Sequence, residues 1–159
     1  MSDNLPSPRD AARLVQLRSL RVQRSREAFT AASAAVLDAE RALQDRQRSI
    51  DRIRREIDAL GASVMQGFDG QLPRWSQQLV IQRDKLADRL ERAEYALTGD
   101  ERKLEEAQEG AAQAQAELTR ALARDDAVRG LLRDSKRAVE KVREQRAELE
   151  QDDLRVRAR

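Results

Sequence analysis

Cysteine and histidine are both missing from this chain of 159 residues. Without cysteine there is no disulfide framework and no thiolate nucleophile. Without histidine the commonest general base and transition-metal ligand is gone, so Ser–His and Cys–His nucleophile pairs and the usual zinc sites are excluded. Aromatic residues make up only 3%, which leaves little material for stacking bases. Three prolines and six glycines mean that breaks in regular structure are few. No apolar run approaches the ~20 residues that a membrane span needs. Residues 1–8 lack the apolar core of a secretory signal, and together these absences lead us to expect a soluble, cytoplasmic protein.

What the chain does contain is charge and helix formers. Charged residues are 38% of the total, with much Ala, Leu, Glu, Gln and Arg. That mixture points to long helices or coiled coils rather than a layered core. The net charge of +2 is unevenly spread. Residues 1–26 carry six arginines against Asp3 and Asp10, and residues 129–159 carry ten basic groups against seven acidic ones, so both ends are basic and the middle is acidic.

Every seventh residue from Val15 is apolar: Val15, Val22, Phe29, Val36, Leu43, Ile50, Ile57 and Val64. Three residues after each of the first seven stand Arg18, Ser25, Ala32, Ala39, Arg46, Ile53 and Leu60. These read as the a and d positions of a coiled coil, which keeps one stripe facing a partner helix. A second register starts at Leu79 and Arg83 and runs to Arg146 and Leu149, with 16 of 21 positions apolar. Many of these are alanines, so the seam is regular but buries little area per contact. Asp100, Asp125 and Ser135 fall on it, as polar residues that set register do.

Between the registers, residues 61–73 contain Gly61, Gly67, Gly70 and Pro73 and read as a turn. The expected fold is all-α: a long two-helix antiparallel coiled-coil hairpin of unequal arms, forming one domain over residues 1–159. Its first helix spans 8–65 with Ser7 as N-cap and Pro8 at the first helical position. The tip loop covers 61–73 and the second helix 73–155, with bends expected near Gly99 and Gly130. A helix break at 98–100 is the alternative. At ~1.5 Å per residue the arms would be roughly 85 and 120 Å long. A reversal near residue 68 would set residue i opposite roughly 137 minus i. The second helix would then outrun the first beyond about residue 130.

Two features suggest binding. The stripe of Val128, Leu132, Val139, Val142 and Leu149 keeps seam spacing where no partner is expected, which points to another protein. Basic groups gather where the two ends of a hairpin meet; they read equally as a cationic plug for an acidic ring or groove and as a solvated surface laced with i,i+4 ion pairs. At the tip, Trp75 opens the second helix beside Leu79 and is either the cover of the seam end, with Phe68 beneath it, or part of a docking patch. No convergent acids, bases and cleft suggest an active site, and no catalytic residue, metal or cofactor is expected.

The architecture resembles the central stalk proteins of type III secretion and flagellar export, the YscO/HrpO and FliJ-like proteins. The segment Arg74-Trp75-Ser76-Gln77-Gln78-Leu79-Val80 looks like the flagellar Arg-Trp followed by Gln-Gln-Phe-Ile, and residues 123–159 resemble that family's charged helical ending. The resemblance implies a non-enzymatic, monomeric hairpin at the inner-membrane export apparatus. Its terminal end would enter the export ATPase hexamer, another surface would meet the export gate, and secretion chaperones would be further partners. The ring contact would fall on Val128, Leu132, Val139, Val142 and Leu149, flanked by Arg133, Lys136, Arg137, Lys141 and Arg143. The gate contact would fall on Trp75, Leu79, Arg83, Leu86 and Leu90, although Arg83 departs from the family's apolar pattern. Two other readings remain: a scaffold that dimerises through its heptads, and a basic nucleic-acid-binding coiled coil.

Overall fold

The computed structural model describes the backbone of residues 5–66 and 72–157, and side chains over 5–65 and 77–151. There are two helices, α1 (Pro8–Gln66, 59 residues) and α2 (Leu72–Arg157, 86 residues), packed antiparallel as a hairpin of unequal arms. The described residues include no strand. No helix is long and apolar enough to cross a membrane, among those residues.

α1 begins as its sequence requires. Ser7 Oγ accepts the Asp10 backbone N–H at 3.2 Å and donates to Asp10 Oδ2 at 2.7 Å. The Ala11 N–H reaches the Ser7 carbonyl at 2.9 Å, closing the first turn behind Pro8. At the tip α1 runs through Gly61 to Gln66 and α2 begins at Leu72, each within one residue of the expected helix spans, so residues 61–66 of the expected tip loop belong to α1. One helical glycine costs about 1 kcal/mol relative to alanine, and Val64, half-buried at the next seam position, helps offset it. Phe68, and the side chain of Trp75, lie outside the described residues.

α2 is unbroken at Gly99 and Gly130. Asp100, which would have capped a new helix, is instead buried in the seam at 9% exposure. The Thr98 hydroxyl donates back to the Tyr95 carbonyl at 2.7 Å, as an in-helix threonine does.

The heptads account for burial position by position. All fifteen residues of the two α1 series are buried or half-buried. So is every α2 seam residue from Leu79 to Ser135 except Arg83. The register itself differs from that expected by counting. Arg46, expected opposite residue 91, bonds Asp100. Arg54 meets Glu94, Glu56 meets Arg89, and Ser135 meets the carbonyl of Pro6. The contacts are therefore displaced from the counted alignment by four residues at Pro6–Ser135 and by eight to eleven at the three pairs of long side chains, one to three helical turns. Counting placed the midpoint in the loop; in the observed register Arg46, at a core position, meets the Asp100 carboxylate.

The chain divides into two compact units: α1 through Thr30 with α2 from Gln113 onward, and Ala31–Ala112. The Ala31–Ala112 unit holds the bulky core. Ile50, Ile53 and Ala93 are buried, with Ile57, Leu86, Leu90 and Leu97 packed against them. Three cross-helix ion pairs frame it: Arg46–Asp100 at 3.0 Å, Arg54–Glu94 at 2.8 Å and Arg89–Glu56 at 3.6 Å. The other unit is thinner. Its buried residues are Ala11, Val22, Asp125 and Ser135, so small and polar groups fill much of the seam.

Candidate functional site

The corrected register redistributes the residues expected to bind partners. Val128 and Leu132 are half-buried within the paired seam, and Ser135, at 2% exposure, donates to the Pro6 carbonyl at 2.8 Å. These residues are occupied by α1 and are not a free surface. The second helix is thus still paired at Ser135, where counting expected it to be alone beyond about residue 130.

Beyond Ala138, seam positions become exposed. Val139 is 38% accessible, Val142 46% and Leu149 67%. The basic residues Arg133, Lys136, Arg137, Lys141 and Arg143 are exposed around them. Helical spacing puts Val139, Val142 and Leu149 on the continuation of the stripe that Leu132 and Ser135 bury. Among the described residues, nothing in α1 covers them.

The tip set is divided too. Leu86 and Leu90 pack against the Ile50 and Ile53 cluster, and Leu79 is half-buried, so these three serve the hairpin's own seam. Arg83 is exposed. The side chain of Trp75 is outside the described residues.

The polar seam residues are satisfied unequally. Asp100 Oδ2 accepts from Arg46 Nε at 3.0 Å, with Lys103 3.9 Å from its other oxygen. Asp125 Oδ2 accepts from Arg129 Nε on the next turn at 2.7 Å, and its Oδ1 is buried without a partner. Arg129 also reaches Ser19 Oγ across the pair at 3.5 Å. Neither Asp100 nor Asp125 lines either of the two hollows described below, and no group of acidic side chains able to hold a metal occurs among the described residues.

One feature was missed by reading the sequence. A shallow hollow of about 360 Å³ is lined by Arg18, Arg21, Arg24, Ser25 and, from α2, Glu117, Arg120, Ala121 and Arg124. Among the described residues none of its five arginines makes an ion pair; Arg120 donates only to the Ala116 carbonyl, at 3.2 Å. A smaller hollow of about 240 Å³ holds Arg46, Arg89 and Arg92, of which the first two are paired with Asp100 and Glu56. The excess of arginine in residues 1–26 was visible, but finding its partners on α2 needed the true register.

The fold therefore defines the chain as an all-α helical hairpin. In comparisons with known proteins, no family model, no curated protein and no solved structure matches it.

Proposed function

We propose that the chain is a non-enzymatic stalk or coupling protein of a type III secretion system, linking the cytoplasmic export ATPase ring to the export gate. Secretion chaperones are further partners in this reading. The observation that supports it most is a seam that, among the described residues, runs on past its cover by α1. Val139, Val142 and Leu149 keep core spacing on α2 but are exposed, amid Arg137, Lys141 and Arg143. Apolar positions at that spacing, rimmed by cations, suit a groove that is apolar at its base and acidic at its rim. The identity of the holder comes from the stalk-protein resemblance. The hairpin's role is mechanical: it transmits motion or holds ring and gate in register, and carries out no bond chemistry.

The test is a triple substitution, Val139→Ser, Val142→Ser and Leu149→Ser. All three side chains lie outside the paired seam, so helicity and melting should stay near wild type. Binding to the export ATPase and stimulation of its hydrolysis should fall together by tenfold or more. A variant that binds and stimulates like the parent would sink the assignment. The same unfilled spacing favours a second reading, in which the stripe pairs with a second copy of this chain. Mass determination in solution separates the two: a monomer supports the stalk and a dimer lost in the triple variant supports the scaffold.

A further inference from the structure

The arginine-lined hollow has a chemistry that the hairpin does not use. Four exposed arginines elsewhere, Arg41, Arg48, Arg54 and Arg89, are in ion pairs, whereas no arginine of this hollow is, among the described residues. Arg21, Arg24, Arg120 and Arg124 are exposed and unpaired among the described residues, and they share one hollow with Arg18. Arg18 to Arg21 and Arg21 to Arg24 are three residues apart, and Arg120 to Arg124 four, so each pair sets like charges side by side on a helix, which is unfavourable. Glu117 is the only acid in the lining. Concentrating cations in this way disfavours folding slightly and favours an anion that enters the hollow.

The neighbouring surface narrows the kind of anion. Seven residues before Arg21 and Arg24 stand Leu14 and Leu17, and seven after Arg124 stands Leu131. A heptad step returns to the same helix face two turns away. The two helices are antiparallel, so all three steps lead in the same direction along the unit. Leu14 is 41% exposed, Leu17 54% and Leu131 40%. The face therefore carries a basic half and an apolar half in sequence. A free oligophosphate or a nucleic-acid backbone would use only the basic half, and the chain's few aromatics give bases nothing to stack on. Arginine forks recognise carboxylates bidentately, and exposed leucines accept an apolar helix stripe.

We propose that this face, built from residues 14–24 and 120–131, docks an acidic amphipathic helix of a partner protein, with carboxylates on the arginines and apolar side chains on the leucines. The proposal does not depend on the secretion reading, since this face is distinct from the exposed stripe at Val139, Val142 and Leu149.

The experiment measures fluorescence anisotropy of a labelled designed helix whose heptads place Glu over one half of a face and Leu over the other. Controls are the same peptide with every Leu changed to Ser, tripolyphosphate as competitor, and a short DNA duplex. Full-length wild type should bind the designed helix. Binding should weaken tenfold or more in Arg21→Glu/Arg124→Glu, and likewise in Leu17→Ser/Leu131→Ser, with helical circular dichroism unchanged in both. The Leu-to-Ser peptide should bind at least tenfold more weakly. No binding of the helix by wild type, equal binding of the Leu-to-Ser peptide, or tighter binding of the duplex or tripolyphosphate would overturn the proposal. Unchanged affinity in the charge-reversed variant would do the same.

Discussion

At the residue scale, two aspartates at equivalent depth in the seam do opposite things. Asp100 answers Arg46 from the other helix, so the pair ties a register to an ion pair. The geometry is a charge-assisted bond in a half-buried setting, and removing one partner leaves the other at a core position without its counter-charge. Asp125 answers only Arg129 on its own helix and leaves Oδ1 buried and unbonded. Its one link between helices is indirect, through Arg129, which reaches Ser19 at 3.5 Å, and it carries a desolvation cost. Asp100→Ala should therefore lower stability by about 1–2 kcal/mol. Asp125→Leu should raise it by about 1 kcal/mol, because an apolar side chain fills the seam and Arg129 is exposed enough to be solvated. Urea denaturation of the two variants checks both signs. Two losses would show that Asp125 contributes more than its bonds indicate. The polar seam positions were legible from the heptads, whereas their opposite roles were not, since partner identity depends on a register that spacing alone leaves open.

At the element scale, the helices themselves were the most legible feature. Fifteen seam residues of α1 were named by period alone, and all are covered. The N-cap at Ser7 was equally readable, because it depends on four adjacent residues. Glycine ends neither helix: α1 runs through Gly61, as the expected 8–65 span has it, and α2 is continuous through Gly99 and Gly130 rather than broken at 98–100. Tertiary pairing overrides a local cost of about 1 kcal/mol when the seam continues on both sides. A Cβ added at Gly99 or Gly110 would meet nothing within 4 Å. Gly99→Ala and Gly110→Ala should each raise stability by up to about 1 kcal/mol, with additive effects on the denaturation midpoint. A loss at either position would mean that the helix there depends on a conformation alanine resists.

At the scale of the whole molecule, the account turns on how much of α2 the chain itself can bury. Seam positions are covered as far as Ser135, and Val139, Val142 and Leu149 are open. An isolated helical segment of a dozen residues is marginal in water, because nucleation is costly and packing supplies most helical stability. The open stretch should therefore fray when free and become ordered when held. Seam spacing and a register counted from the turn place the unpaired stripe from 128 onward. In the structure the exposed stretch starts about ten residues later, because α1 still covers Leu132 and Ser135. The arginine hollow was out of reach for the same reason: its members are about 100 residues apart in sequence and meet only in the true alignment.

Hydrogen exchange of the full chain, alone and with the export ATPase, tests the central claim most directly. The account predicts that backbone amides over 139–151 exchange rapidly in the free protein, and that amides around Ile50, Ile53 and Ala93 are protected throughout. On adding the ATPase, protection should appear over 139–151 and change little in that cluster. Exchange over 139–151 that is unaffected by saturating ATPase would contradict the account, since the open seam would then have no such holder.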